Sequence, residues 1–173
     1  MKNVCSFLMI LSFFSCNTIR VNYDYDKGTD FTNYSTYNYY PDMHTGLSEL
    51  DSKRLLHAVN SEMQLKGIRF SEDPDFFINI ESESFNAPRN STVGVGVGGG
   101  GRSVGGGVSV GIPVGQPKLE REIRFDFVDV KKDELFWQGQ GLSGFNENMG
   151  PEAREEKLHT LATKVFSKYP PSK

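Results

Sequence analysis

The sequence predicts an α+β fold: a two-layer sandwich in which a mostly antiparallel sheet carries two helices packed on one face. Three observations predict it. Residues 19–26, 75–84 and 119–128 alternate apolar with polar side chains, the period of a half-buried strand. Residues 48–66 and 151–169 instead repeat apolar side chains every three or four positions, the period of an amphipathic helix. The strands follow one another across short turns, which suits antiparallel pairing with the helices layered over one face.

The elements follow in order. In "IRVNYDYD", Ile19, Val21, Tyr23 and Tyr25 share one face, and Arg20, Asn22, Asp24 and Asp26 the other. "KGTD" makes a turn. A loop then leads into a short second strand near residues 36–40, closed by Pro41. In the first helix Leu55, Val59 and Met63 recur at every fourth position. Ser48 suits its N-cap, Glu49 and Asp51 suit the positive end of its dipole, and Gly67 suits the left-handed residue after its end. "IRFSEDPD" turns the chain back. Phe76, Ile78 and Ile80 then mark the buried face of a strand. The clearest strand carries Leu119, Arg121, Ile123, Phe125 and Phe127 on one face, and it is joined by the "KKDE" turn to a partner, giving a hairpin from residue 120 to about 144. Pro151 suits the first position of the last helix, and Leu158, Leu161, Ala162, Val165 and Phe166 form its apolar stripe.

The first residues speak to location. Lys2 precedes an apolar stretch over residues 4–14, broken only by Ser6 and Ser12. That is the length of a signal-peptide core and well short of the roughly 20 residues a membrane span needs. Ser15 and Cys16 follow, and a cysteine there resembles the lipobox of bacterial lipoproteins. Phe13 and Phe14 stand where that pattern prefers leucine and a small residue. The resemblance implies cleavage between Ser15 and Cys16 and a lipid on the Cys16 sulfur. Cys5 lies in the segment that would be removed, so the body has no cysteine for a disulfide, a thiol nucleophile or a metal site. The expected organisation is a signal peptide over 1–15 and a single periplasmic α+β domain over 16–173, with a glycine-rich insert at about 91–117. After Cys16 come Asn17 and Thr18, with neither the aspartate associated with inner-membrane retention nor an acidic run associated with surface export. The same resemblance therefore implies the periplasmic side of the outer membrane.

The full chain has a formal charge of −3, and without residues 1–15, which hold one lysine and no acid, −4. This mild acidity gives no electrostatic basis for binding nucleic acid.

The order of elements and four stretches resemble the bacterial lipoprotein family known as domain of unknown function 4136. The stretches are "VNYDYDKGTDFTNYSTYNYYP", "MQLKGIRFSEDPDFFINI", "RFDFVDVKKDELFWQGQG" and "AREEKLHTLATKVFSKYPP". Asp30, Phe31, Tyr34, Thr36 and Tyr37 match the family's D-F-x-x-Y-x-T-Y pattern. Asp129, Leu135, Trp137 and Gly139 match its hairpin pattern. The family commonly carries a variable, often glycine-rich insert between its middle strands. The resemblance implies an envelope lipoprotein and no particular reaction.

Four features invite chemistry. Residues 93–115 hold 11 glycines in 23 positions. Gly94, Gly96 and Gly99 fit G-x-G-x-x-G, and residues 96–103 approach a P-loop with Arg102 in place of its lysine. Both motifs need a helix to start at the loop, and "SVGGGVSVG" cannot start one, so no nucleotide is expected. Val93, Val95 and Val97 on one side and Val108 and Val110 on the other suit either the arms of a glycine hairpin or a disordered loop. Tyr23, Tyr25, Tyr34, Tyr37, Tyr39 and Tyr40 form a cluster that either packs sheet against helix or, if exposed, stacks on a sugar. The pairs Asp24 with Asp26 and Glu81 with Glu83 have strand spacing that a glycosidase could use, but nothing in the sequence implies a cleft. His44, His57 and His159 are scattered without metal-ligand spacing, and Trp137 reads as a core anchor. No cofactor, metal ion or catalytic residue is expected. The expected partners are the membrane, through Cys16, and an envelope protein. The expectation is a non-enzymatic, lipid-anchored module that binds a partner or supports envelope structure. The alternatives are an envelope glycan or peptide hydrolase and a glycan-binding module.

Overall fold

The alternating stretches pair into one twisted sheet. The computed structural model describes residues 19–86, 92–94, 111–113 and 119–172, the two short middle segments by backbone alone. Along the chain run β1 (Arg20–Tyr25), β2 (Thr36–Tyr39), α1 (Glu49–Leu65), β3 (Arg69–Phe70), β4 (Phe76–Asn86), β5 (Thr92–Gly94), β6 (Gly111–Pro113), β7 (Leu119–Asp129), β8 (Glu134–Gly144) and α2 (Pro151–Phe166). The main sheet has six strands in the order β1-β8-β7-β4-β2-β3. It is antiparallel from β1 to β4. It becomes parallel where β2 joins β4 and β3 joins β2. The sheet is open, with β1 and β3 at its edges.

Three strands of 11 residues each, β4, β7 and β8, form the spine. Their alternation sends Phe76, Ile78, Ile80, Ile123, Phe125 and Phe127 into one core. Leu55, Val59 and Met63 of α1 meet them there, as do Leu161, Val165 and Phe166 of α2. The opposite face of the sheet is polar. Arg124 pairs with Glu81 and Asp126, and Gln138 donates to Asp126 at 2.7 Å.

β8 departs from simple alternation. Its register with β7 pairs Phe127 with Trp137 and Val128 with Leu135, so Phe136 is an extra residue in a bulge. The bulge turns both Phe136 and Trp137 toward the core, where they are 3% and 0% exposed. Beyond them the core-facing positions of β8 are Gly139 and Gly141. A Cβ at Gly139 would lie 2.4 Å from Trp137 and 2.6 Å from Val165 of α2; one at Gly141 would lie 2.8 Å from Leu161. The indole lies over one glycine and α2 rests on both.

Both helices have local start and stop signals. Ser48 caps α1, its hydroxyl accepting the Asp51 N–H. α1 ends with Gly67 at φ +76°. The Gly67 N–H donates to Gln64 O and the Ile68 N–H to Met63 O, which is a Schellman ending. That ending aims Arg69 and Phe70 alongside β2. The sequence reads as a turn here; the structure makes a two-residue parallel strand, because β2 leaves an open edge for Arg69 N–H and Ser71 N–H to reach Ser35 O and Tyr37 O. α2 also ends earlier than residue 169. The Lys168 and Tyr169 N–H groups donate three residues back, to Val165 O and Phe166 O, and the tightened turn swings Tyr169 in against Trp137 and Phe127. Two polar bridges join the helices: Arg154 to Asp51 at 2.8 Å and Thr163 to Glu62 at 2.6 Å.

In the glycine-rich insert, β5 and β6 pair antiparallel with Val93 opposite Ile112. The remaining predicted arm and tip positions lie outside the described residues, as do Ser15 and Cys16.

Gly139→Ala is expected to lower stability by about 2–3 kcal/mol, since neither the indole nor α2 has room to give way. Gly144→Ala, whose Cβ would meet nothing within 4 Å, is the near-neutral control, both read by thermal melting. The Tyr169 hydroxyl is buried without a hydrogen-bond partner. Tyr169→Phe removes that orphaned group and should raise stability by about 1 kcal/mol in urea unfolding; a loss of similar size would show that the hydroxyl is satisfied in solution.

Candidate functional site

The loops between β1 and β2 and between β3 and β4, with the β7–β8 turn, meet at one end of the sheet. The residues that match the family patterns gather there. Asp30 caps a single 3₁₀ turn, Phe31–Asn33, accepting the Thr32 N–H and hydroxyl. This turn sets Phe31 among Tyr25, Phe136 and Tyr169. The Tyr34 ring stacks on Phe136 at 4.0 Å and 3°. Its hydroxyl donates to Asp129 at 2.7 Å. The other Asp129 oxygen accepts the Lys131 and Lys132 N–H groups, both at 2.8 Å. Thr36 belongs to a second clasp: one oxygen of Asp75 accepts the N–H and hydroxyl of both Ser35 and Thr36 at 2.9–3.1 Å. Tyr37 is 2% exposed and donates to Asn60 of α1.

Two shallow clefts adjoin at this end. One, of about 270 Å³, lies between Asp24, Asp26 and Leu135. The other, of about 260 Å³, lies between Asp26, Tyr34, Asp129 and Lys132. The carboxylates around them are tuned one way. Hydrogen bonds from the Gly28 N–H and the Thr29 hydroxyl hold Asp26 below the usual carboxylate range. Burial pushes Asp75 and Asp129 up, but the donors of Ser35 and Thr36, and of Tyr34, Lys132 and Lys131, outweigh it and leave both low. Burial, then the bond to Asp129, pushes the Tyr34 phenol far above its ordinary value. At neutral pH these three carboxylates are ionised and Tyr34 is a fixed donor. A carboxyl group serving as general acid needs the opposite shift.

The structure places the other predicted residues apart. β1 ends at Tyr25, so Asp26 lies in the following turn and is not a strand neighbour of Asp24, as its spacing suggested. The two nonetheless line one cleft, which the sequence did not reveal. Glu81 is held by Arg124 on the outer face, and Glu83 stands opposite Glu122. The tyrosines divide. Tyr37 is buried, Tyr25, Tyr34 and Tyr39 are partly buried against the core, Tyr40 packs on Phe77, and Tyr23 is 45% exposed at the sheet edge. His44, His57 and His159 are exposed on a loop, α1 and α2. Among the described residues no cluster of His, Cys, Asp or Glu could hold a metal ion. Asp75, which gathers four donors, escaped the sequence reading because its partners lie about 40 positions away.

A family model described as Domain of unknown function (DUF4136) matches residues 21–171. The chain belongs to this family. Curated proteins show no sequence match. Solved structures show a likeness of fold. A PDZ domain protein from Parabacteroides distasonis aligns at TM-score 0.58 and 14% identity, covering 99% of this chain. The chain spans only 41% of that protein's length. The PelC dodecamer from Paraburkholderia phytofirmans aligns at TM-score 0.50 and 11% identity, covering 87% of this chain and 96% of that one. In this DUF4136 chain, Asp30, Phe31, Tyr34, Thr36, Tyr37, Asp129, Trp137 and Gly139 therefore all have a structural task. Leu135, at 51% exposure, is the exception, standing at the rim of both clefts.

Asp75 and Asp129 have lower folded than unfolded pKa values, so their stabilisation is complete above about pH 4 and is lost as pH falls through the folded values. Tyr34→Phe should cost about 1–2 kcal/mol at pH 7. The gap from the wild type should be smaller at about pH 2 than at pH 7, as falling pH begins to protonate Asp129, whose folded pKa lies below the usual carboxylate value. Urea unfolding at the two pH values reads it; a gap independent of pH would remove the charged hydrogen bond from the account.

Proposed function

We propose that this domain is a non-catalytic module of the bacterial cell envelope, lipid-anchored through Cys16, that binds a partner or supports envelope structure. The observation that carries this reading is the state of the motif residues. Asp129 is ionised and held by three donors, Asp30 accepts the Thr32 N–H and hydroxyl, and each aromatic ring is packed into the framework. Such groups hold loops in place; they do not wait for a substrate.

The tether is supported by residues 2–16, with their single lysine, apolar core and Ser15–Cys16 junction. No helix among the described residues is long and apolar enough to cross a membrane. Attachment would therefore rest on the lipid and on whatever the domain itself contacts. Partner binding is supported by the open edge of β1, where a second chain can add a strand. The expected position is the periplasmic face of the outer membrane.

The hydrolase reading draws on the cleft shared by Asp24 and Asp26, and the depressed pKa of Asp26 weighs against it. The glycan reading draws on Tyr23 and Tyr40, which stand on opposite faces of the sheet and offer no joint platform.

Cys16→Ala is expected to move the protein from the membrane fraction to the soluble fraction of cells. Continued membrane retention would overturn the anchor. Crosslinking of the wild type in native envelopes, with mass spectrometry of the adducts, then identifies the partner.

A further inference from the structure

The end of the sandwich opposite the turn loops lies closest to the tether. The register of β1 and β8 sets Arg20 opposite Leu142, so Ile19 sits beside Ser143 at that end. From Ile19 to Cys16 is three residues, a span of at most about 11 Å when fully extended. The ends of β4, β7 and β8, at Asn86, Leu119 and Gly144, lie at the same end, with the first turn of α2 close by.

Two cations here have no carboxylate within ion-pair distance among the described residues. Arg121 lies with its guanidinium 3.5 Å above the Phe145 ring, and its Nε donates to the Ser84 hydroxyl. Lys157 donates to the Gly144 carbonyl. Neither makes an ion pair, whereas neighbouring Arg20 and Arg154 hold Glu120 and Asp51. Both are partly buried in one slot, lined by Phe145, Met149 and Leu158 and also by the ion-paired Arg154 and Asp51. Burial depresses the pKa of each; repulsion from Arg154 adds to it at Arg121, and repulsion from Arg121 adds to it at Lys157. The slot sets three cations, Arg121, Arg154 and Lys157, against the one carboxylate of Asp51, an excess that favours a further anion at its mouth. Asp51 and, to a smaller extent, Glu147 offset part of the Arg121 charge, and Glu152 lies exposed in the first turn of α2.

The size of the slot narrows the ligand. It has room for about 20 Å³, a single water, so no organic molecule enters it. An anion must sit at its mouth, presented from outside. At the same end, on the opposite face of the sheet, Phe85 is exposed and Glu83 stands opposite Glu122.

The geometry points to a membrane-docking face: Arg121 and Lys157 receive the phosphate of an anionic phospholipid, and the domain rests on the bilayer by the end that carries its tether. This rests on the lipid anchor proposed above. A basic face beside a lipid is the pairing that makes anchoring by acyl chains firm.

The test uses the full lipidated protein in phosphatidylcholine vesicles with or without about one quarter phosphatidylglycerol. The rate of acetylation at Lys157 is compared with that at Lys164, exposed toward the far end of α2. Phosphatidylglycerol should slow Lys157 by about fivefold or more and leave Lys164 unchanged, and about 0.5 M salt should reverse the effect. Arg121→Gln should abolish the protection while the protein stays vesicle-bound. Equal rates in both vesicle types, or equal protection by inorganic phosphate without vesicles, would overturn the proposal. Should Arg121→Gln not fold, the lipid and salt dependence of the wild type decides it alone. The mass of the N-terminal peptide separates the two failures: an unmodified Cys16 removes the anchor and this proposal together, whereas an acylated Cys16 with an unprotected Lys157 removes this proposal only.

Discussion

The structure depends on how closely α2 approaches β8. Most strands of a two-layer sandwich hold a helix off with their side chains; β8 offers Gly139 and Gly141 instead. Val165 and Leu161 therefore reach the strand backbone, and Trp137 folds along it to fill what remains. That contact needs the bulge at Phe136, since without the extra residue the indole and the Phe136 ring would fall on opposite faces. The bulge thus has two consequences. It seats Trp137 under α2, and it places Phe136 where Tyr34 stacks and where Phe31 and Phe76 meet it edge-on or tilted. The core and the turn end are one aromatic assembly.

The two ends of the sheet then differ in their electrostatics. At the turn end the carboxylates of Asp26, Asp75 and Asp129 each collect more than one donor, and their low pKa values record it. Charge there is stabilised locally by neutral hydrogen-bond donors, and the loops are held. At the end where β1 begins Asp51 satisfies Arg54 and Arg154, and Arg20 has Glu120, but Arg121 and Lys157 hydrogen-bond only to neutral oxygens, with Asp51 and Glu147 acting on Arg121 without a contact ion pair. An end with incompletely balanced charge is the one suited to meet something outside the domain.

Much of the fold was legible because it is written in local periodicity. The alternation of β4 and β7 named their buried residues correctly, and Ser48 and Gly67 marked the limits of α1. What escaped had no local signature. β3 is two residues that become a strand only because β2 has a free edge. The bulge is a single extra residue within a good strand pattern. The Asp75 clasp, the Tyr34–Asp129 bond and the Asp51–Arg154 bridge join positions about 40, 95 and 103 residues apart. Asp24 and Asp26 look like strand neighbours, and the end of β1 separates them.

By itself the sequence determined the α+β class, the limits of most elements, the buried faces and membership of the DUF4136 family, since each of these follows from residue order and period. The tertiary structure decided what the motif residues do. Asp129 is a turn clasp, Trp137 a cover for Gly139, and Arg121 and Lys157 a pair of cations at the end where β1 begins. The physical reason is that each role depends on a partner brought in by strand register or helix packing, and neither register nor packing is a property of any one stretch of chain.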